Sequence, residues 1–288
     1  MEPGKYSFMA EATARLRAAH QVLDDDPKIL DDPLVLALLG DDTRAQVLHE
    51  IERHSSWYMK RARTLTIVRS RFTEDQLRIA IDRGVSQYVI LGAGLDTSPY
   101  RAGHPGEPLA TWEIDHPDSQ RWKLDRLRAA GIEWRENLHH VAIDFESRSL
   151  LDGLLANGFD PGAPTFFSWL GVLYYLQPDS VTETFRQMAS CSTGSGLVFD
   201  FVVSDDHLTG EERAAVEKVA AFAESRGEPW LTRYAPEDLQ AVLQELGFGR
   251  VEYFSRDRAT AAYLAGRSDG LALDPAIEMM SAVVTVPQ

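Results

Sequence analysis

The first 85 or so residues carry apolar positions at helical spacing. In "FMAEATARLRAAHQVL", residues 8–23, apolar side chains recur every three or four positions, which predicts an amphipathic helix. "DDPLVLALLG" predicts a short helix that ends at Gly40, and residues 41–72 predict one or two more. The tetrapeptide "TEDQ" at 73–76 resembles a capping box, which predicts that another helix begins there and ends at Gly84.

From residue 86 onward the pattern changes to strands that alternate with helices. Short apolar or alternating runs predict seven strands: "QYVILG", "LATWEID", "LHHVAIDF", "PTFFSW", "GSGLVFDFVV", "RVEYFS" and "SAVVTV". Helical segments between most of them predict an α/β fold with a mostly parallel, doubly wound sheet and right-handed crossovers. We expect an N-terminal helical cap over 1–85 and a core over 86–288. A helical insertion at about 204–235 is a candidate lid or substrate-binding element, with inert packing as the alternative.

The stretch "YVILGAGLDTSPYR" is the strongest functional signal. A buried strand runs directly into Gly92, Ala93 and Gly94, a turn that typically lies against a nucleotide at the carboxyl end of a parallel sheet. The second strand ends at Asp115, 23 residues after Gly92, close to the spacing expected of an acid that binds ribose hydroxyls.

Two residues of that turn argue against a dinucleotide. A dinucleotide fingerprint needs a third glycine where this chain has Thr97, and Asp96 adds negative charge where a pyrophosphate would lie. A cationic nucleoside without phosphate, S-adenosyl-L-methionine, fits better. Asp144 and Phe145 at the end of the third strand suit an adenine amino group and ring. Asp115 and Asp144 could instead cap the helices that follow them.

Composition narrows the function further. The chain of 288 residues has a net charge of −15 and no basic stripe with interleaved aromatics, which disfavours a nucleic-acid partner. No apolar run approaches the roughly 20 residues needed to cross a bilayer. The single Cys191 and the absence of a recognisable secretory signal favour the cytoplasm. The histidines lack ligand spacing, so no metal is expected.

The chain resembles the leucine carboxyl methyltransferase family, in its bacterial branch of S-adenosylmethionine-dependent O-methyltransferases of polyketide and other secondary metabolism. "GAGLDT" followed by "EIDHP" is the most specific part, and "KRARTLTIVRSRFTEDQL", "FFSWLGVLYYL" and "RGEPW" add to it. The resemblance implies a class I, Rossmann-like methyltransferase fold. One departure is Leu170, where many relatives have a glutamate.

The resemblance also implies roles for residues. Arg63 in "ART" would hold the donor's carboxylate, Asp115 its ribose, and Asp144 with Phe145 its adenine. The predicted cofactor-binding residues are Arg63, Gly92, Ala93, Gly94, Asp96, Asp115, Asp144, Phe145 and Trp169.

The acceptor is less constrained. A carboxylate is already ionised at neutral pH, whereas a phenol needs a base. His104, His116 and His207 are the candidate bases, but no spacing singles one out, which favours carboxyl methylation over hydroxyl methylation. Candidate substrate-binding residues are Tyr58, Tyr100, Arg101, Tyr174, Tyr175, Trp230 and Arg233. A nicotinamide-dependent oxidoreductase and a non-catalytic cofactor-binding protein remain as alternatives, and the chain is expected to be a monomer or a homodimer with a small-molecule acceptor.

Overall fold

Five helices make up most of the described chain before its first strand. A computed structural model describes residues 7–144 and 149–285. The helices before the sheet are α1 (Phe8–Leu23), α2 (Leu34–Leu39), α3 (Thr43–His49), α4 (Ile51–Ser55) and α5 (Trp57–Asp82). The first and last of these, α1 and α5, pack against each other, and α5 also contacts three central strands of the sheet.

A seven-stranded sheet forms the centre of the molecule. Its strands are β1 (Gln87–Leu91), β2 (Ala110–Asp115), β3 (Leu138–Ala142), β4 (Thr165–Trp169), β5 (Gly196–Val202), β6 (Phe248–Phe254) and β7 (Ile277–Val284). They lie in the order β3-β2-β1-β4-β5-β7-β6, with β1 to β5 parallel and β7 antiparallel to both of its neighbours. The predicted α/β fold with a mostly parallel, doubly wound sheet is therefore confirmed.

The order of the strands locates the place where a ligand is expected. The chain moves outward from β1 to β3 and then returns to place β4 on the other side of β1. In such a sheet, the carboxyl ends of the two strands on either side of this switch point open into a crevice.

The remaining helices connect the strands. They are α6 (Pro117–Ala129), α7 (Leu150–Leu155), α8 (Pro178–Ala189), α9 (Gly210–Ser225), α10 (Pro236–Glu245) and α11 (Arg256–Tyr263). Helix α9 begins with a complete capping box between Thr209 and Glu212, and it lies in the segment predicted as a lid. The division into cap, core and lid stays a prediction. Helix α11 was not predicted from the sequence.

One predicted helix start is wrong. Residues 73–76 do not open a new helix, because α5 runs without a break from Trp57 to Asp82. The Thr73 hydroxyl donates to the backbone carbonyl of Arg69, 2.9 Å away, within the same helix. A threonine can make this bond in a helix interior, so a capping-box pattern alone does not fix a boundary.

None of the helices in the described ranges is both long enough and apolar enough to pass through a membrane.

Candidate active site

A cavity of about 620 Å³ opens at the carboxyl ends of the central strands. This volume lies within the range of roughly 300–1,000 Å³ typical of small-molecule sites. Its walls come from α1, α5, the turns after β1, β2, β3 and β4, and the segment that follows α9. Its lining residues include Ser7, Ala10, Arg17, Arg69, Gly92, Ala93, Gly94, Asp96, Asp115, His116, Asp144, Leu170, Gly171, Val172, Tyr174, Tyr175, Glu228 and Leu231.

The glycine turn after β1 forms one wall of the cavity. Gly92 has φ +67° and Gly94 has φ +44°, values that favour glycine. A Cβ on Gly92 would lie 2.1 Å from Val172 Cγ2, and a Cβ on Gly94 would lie 3.1 Å from Ala10 Cβ. From the sequence, these glycines are expected to let a ligand approach closely. In the structure, the space that they leave is taken by the turn after β4 and by α1.

Asp115 ties the end of β2 to the glycine turn. One carboxylate oxygen accepts from the Gly94 amide, and the other accepts from the His116 amide at 2.7 Å. Burial raises the pKa of Asp115, against the opposing effect of these two amides. His116 caps α6 by accepting from the Asp118 amide, so Asp115 is not the cap of that helix.

Asp96 lies in the cavity wall, where hydrogen bonds and nearby positive charges stabilise its carboxylate. It accepts from the Ser98 amide at 2.8 Å and from the Ser98 hydroxyl at 3.0 Å. Burial would raise its pKa, but the charges of Arg17, Lys123 and Arg101 and the bond from the Ser98 amide together lower it, and the net shift is downward. Asp96 is therefore a carboxylate held charged beside the turn.

Three further residues predicted to contact the donor, Asp144, Phe145 and Trp169, differ in where they lie. Asp144 lines the cavity, whereas Phe145 lies outside the described residues. Ser149 caps α7, the helix that Asp144 could have capped. Trp169 is fully buried, packs edge-on against Phe185 with ring centroids 5.3 Å apart, and does not line the cavity. Its assignment to the donor is corrected to core packing.

The assignment of Arg63 to the donor's carboxylate is also corrected. Its guanidinium is buried away from the cavity and donates to both oxygens of Asp24, at 2.8 and 2.7 Å. A third bond, of 3.0 Å, reaches the backbone carbonyl of His54. Arg63 therefore joins α5 to the end of α1 and to α4.

Two arginines that sequence reasoning missed do line the cavity. Arg69 pairs with Asp200 at 2.7 Å, and Arg17 lies 3.1 Å from Asp32 and donates to the carbonyl of Leu95. The sequence held a signal for the first: "VRS" at 68–70 repeats the pattern of "ART" at 62–64, six residues later in the same helix. Arg17 lines the cavity only through the packing of α1 on the glycine turn, which no local pattern shows.

The aromatic wall of the cavity is formed by two predicted tyrosines. Tyr174 and Tyr175 both line it, with ring centroids 4.7 Å apart. Trp230 lies behind them, 5.2 Å from the ring of Tyr174, and does not line the cavity. The Leu231 amide donates to the Tyr174 carbonyl at 2.6 Å, which attaches the segment after α9 to this wall.

Four predicted substrate residues lie elsewhere. Tyr58 is partly exposed and packs edge-on against Trp57. Tyr100 donates to Glu113 at 2.8 Å, Arg101 pairs with Glu74, and Arg233 pairs with Asp205. These polar partners account for the positions of the three side chains, so the structure does not bring them to the cavity.

Only one of the three candidate histidines lines the cavity. This is His116, the cap of α6. His104 lies in a separate space of about 20 Å³, where burial lowers its pKa to about 3. His207 lies 3.2 Å from Glu237 on the surface. His104 and His207 are therefore not placed to act as bases.

Glu228 is a cavity residue that the sequence argument missed. It accepts from the Phe8 amide at 3.0 Å and from the Ser7 hydroxyl at 3.3 Å, so it connects the segment after α9 to the start of α1. Burial raises its pKa, partly offset by these bonds. Nothing in the local sequence distinguishes it from the other acids of the insertion.

In the part of the chain that the structure describes, no group of three or more His, Cys, Asp or Glu side chains could hold a metal ion.

Comparison with known proteins decides the family. The model of the family described as "Leucine carboxyl methyltransferase" matches residues 10–189, more than half of the chain. The chain belongs to the leucine carboxyl methyltransferase family. The matched region contains most of α1, α5, the glycine turn and the turns after β2, β3 and β4, which form most of the cavity.

Curated relatives support a methyltransferase. YktD of Bacillus subtilis (strain 168), named as an S-adenosyl-L-methionine-dependent methyltransferase, is 28% identical over 98% of this chain and 99% of its own length. A protein of the same designation from Mycobacterium tuberculosis (strain H37Rv) is 31% identical over 70% of this chain and 69% of its own. This family member is therefore a methyltransferase.

Solved structures support the fold. A protein from Thermobifida fusca, described as a methyltransferase, has a TM-score of 0.58 at 19% identity, covering 99% of this chain and 97% of its own. A DUF574-family protein from Streptomyces avermitilis also has a TM-score of 0.58, at 15% identity, covering 93% of this chain and 96% of its own. The predicted class I, Rossmann-like methyltransferase fold is confirmed.

Proposed function

We propose that this methyltransferase transfers a methyl group from S-adenosyl-L-methionine to a carboxylate of a small-molecule acceptor, forming a methyl ester. S-adenosyl-L-methionine is the donor named for the curated relatives. The observation that carries the proposal is the distribution of charge in one cavity. Asp115 lies beside the glycine turn, Arg69 lies by the turn after β4, and Leu170, Tyr174, Tyr175 and Leu231 give part of the wall an apolar and aromatic surface.

The residues of the cavity fit the donor's chemistry. A half-buried carboxylate such as Asp115 suits ribose hydroxyls, and Asp144 suits the adenine amino group. The guanidinium of Arg69 can bind a carboxylate through two parallel hydrogen bonds, which suits the donor's amino-acid tail. These roles are part of the proposal. Asp96 and Asp115 beside the turn disfavour a pyrophosphate, which weighs against a nicotinamide dinucleotide.

The reaction makes modest demands on the chain. When bound, the donor supplies a methyl group that is activated by a sulfonium. The chain must align the acceptor oxygen with that methyl group and exclude water.

One wall of the cavity suits an apolar or aromatic acceptor, since it is formed by Tyr174, Tyr175, Leu170 and Leu231. A carboxylate needs no base, and burial raises the pKa values of both tyrosines, so they can donate hydrogen bonds but not accept a proton. We infer an aromatic carboxylic acid of secondary metabolism as the acceptor.

Hydroxyl methylation is a second candidate, and one observation favours it. Glu228 lines the cavity with a pKa raised by burial, which is the direction that suits a general base near neutral pH. If the acceptor is a phenol or alcohol, Glu228 is the residue that would take its proton.

The chemistry of the product separates the two candidates. The purified protein is given methyl-labelled donor and a panel of aromatic acids and phenols, and the product is treated with mild alkali. A methyl ester releases labelled methanol, whereas a methyl ether keeps its label. Label released by alkali supports carboxyl methylation, and alkali-stable label contradicts it.

Glu228→Gln gives an independent test. Carboxyl methylation predicts that kcat falls by less than about threefold, because no proton is removed in the reaction. Hydroxyl methylation with Glu228 as base predicts a loss of about 10²–10⁴-fold. Glu224→Gln is the matched control, since Glu224 is exposed at the end of α9 and does not line the cavity. Turnover with any acceptor refutes a non-catalytic role.

A further inference from the structure

A buried ion pair joins the sheet to the cavity. Asp200 on β5 has no solvent exposure, and both of its carboxylate oxygens are engaged. One oxygen accepts from Arg69 Nη1 at 2.7 Å, and the other accepts from the Gly171 amide at 2.6 Å. A single side chain therefore holds α5 and the turn after β4 together at the wall of the cavity.

Gly171 makes room for the guanidinium. Its φ is +72°, and a Cβ there would lie 2.9, 3.1 and 3.3 Å from Nη2, Nη1 and Cζ of Arg69. The Nη1 and Nη2 end of the guanidinium is thus in close contact with the glycine, and a larger residue would displace it. The Arg69 side chain is held through Nη1 by Asp200, lies against Gly171, and also forms a hydrogen bond with the side chain of Tyr174.

Stability alone gives little reason for such a pair. Two charges removed from water cost several kcal/mol each, and apolar residues of similar volume often serve as well or better. Asp200 lies between Phe199 and Phe201, both fully buried, so an apolar residue would suit its strand. An apolar residue at this position could not do one thing that the ion pair does: hold a cation in a fixed orientation at a ligand cavity. A guanidinium has five N–H donors, of which one is used by Asp200 and another is shared with Tyr174, so others remain for a ligand.

We propose that Asp200 is a positioning residue, which orients the Arg69 guanidinium so that its other N–H groups bind the carboxylate of the donor's amino-acid tail. The inference rests on the proposed function, because it assumes that the donor occupies this cavity. Asp200 itself does not touch the donor. Its role is selective: it affects ligands that carry the amino-acid tail and leaves the binding of the nucleoside unchanged.

Two nucleosides that differ in the amino-acid tail can measure the tail's contribution to binding. S-adenosylhomocysteine and 5′-methylthioadenosine are both uncharged at sulfur, and they differ in that only the first carries the amino-acid tail. Both are titrated by calorimetry into the wild type and Asp200→Asn, which preserves shape and removes the charge. We expect the affinity for S-adenosylhomocysteine to fall about tenfold or more, and that for 5′-methylthioadenosine to change by less than about twofold.

Asp24→Asn is the matched control. Asp24 is also buried and also pairs with an arginine of α5, but its partner Arg63 lies away from the cavity. The ratio of the two affinities should stay at the wild-type value in this variant. An equal change of the ratio in both variants would overturn the inference, because the effect would then not depend on Arg69.

Gly171→Ala supplies a second variant if Asp200→Asn does not fold. Its added Cβ displaces the Arg69 guanidinium, so the same selective loss of S-adenosylhomocysteine is expected. An unchanged ratio, or an equal loss of both ligands, overturns the positioning role. A wild type that binds neither ligand refutes the proposed function, and this inference falls with it.

Discussion

Helix α5 contributes the arginines of two buried arginine–aspartate pairs, and the two pairs have different roles. Arg63 binds Asp24, and Arg69 binds Asp200, with N–O distances of 2.7 Å in each pair. Six residues correspond to about 9 Å along a helix and about a third of a turn around it. The first pair therefore packs α5 against α1, while the second lies at the wall of the cavity.

The comparison shows that the same local chemistry can hold a fold together or prepare a site. Asp24 is also bonded to His20, 2.7 Å away, so the Arg63 pair is enclosed by protein groups. The Arg69 guanidinium is bonded to Asp200 and to the side chain of Tyr174, and it also lines the cavity. What separates them is the surroundings of the guanidinium, and mutations can measure that difference.

The largest effect should appear in folding stability. Arg63→Ala leaves the buried Asp24 carboxylate without its main cation, so we expect the free energy of unfolding to fall by about 3–5 kcal/mol. Urea denaturation measures it. Arg53→Ala is the control, since its pair with Glu50 is exposed and should contribute less than about 1 kcal/mol. A loss of similar size in both variants would contradict the structural role of Arg63.

A smaller and different effect is expected at the glycine turn. Asp115→Asn removes the charge beside Gly94 that we assign to the ribose. Calorimetry should show S-adenosylhomocysteine and 5′-methylthioadenosine losing affinity together, by about 1.5–3 kcal/mol, because both carry the ribose. A loss restricted to the ligand with the tail would place Asp115 at the wrong end of the donor.

The smallest effect is a pH dependence that belongs to the Arg63 pair. Burial would raise the pKa of Asp24, but the bonds from His20 and Arg63 and the charge of Arg63 outweigh it, so the pKa is lowered. A carboxyl whose folded pKa is depressed stabilises the fold above its unfolded pKa, about 4, and that contribution is lost as the pH falls through the folded pKa.

Denaturation of Asp24→Asn measured from pH 7 to pH 2 checks this sign. The variant should be less stable than the wild type at pH 7, and the gap should narrow as the pH falls below about 4. A gap that stays constant over this range would show that the charge of Asp24 does not contribute to stability.

The residues at the carboxyl ends of the strands could be predicted to lie at the site, because their positions follow from the order of strands and turns along the sequence. A buried strand that ends in Gly92 and Gly94, and another that ends in Asp115, must bring their carboxyl ends to one edge of a parallel sheet. The structure brings these residues together with Asp144, Tyr174 and Tyr175 around one cavity. Their roles in binding stay predictions.

Residues that reach the cavity from distant parts of the chain could not be predicted in this way. Arg17 is placed by the packing of α1 on the turn, and Glu228 by its bonds to Ser7 and Phe8, some 220 residues away. Arg63 and Arg69 share a helix and a sequence pattern, so only the tertiary contacts distinguish them. Trp169 ends a strand at the right edge, yet its side chain points into the core.

The most direct test of this account compares the two arginines in one titration. S-adenosylhomocysteine is titrated into the wild type, Arg69→Lys and Arg63→Lys, which keep a positive charge beside Asp200 and Asp24 but lose the fork of N–H donors. We predict a loss of about tenfold or more in Arg69→Lys and less than about threefold in Arg63→Lys. Tight binding by Arg69→Lys together with a large loss in Arg63→Lys would contradict the account and return the donor's carboxylate to Arg63.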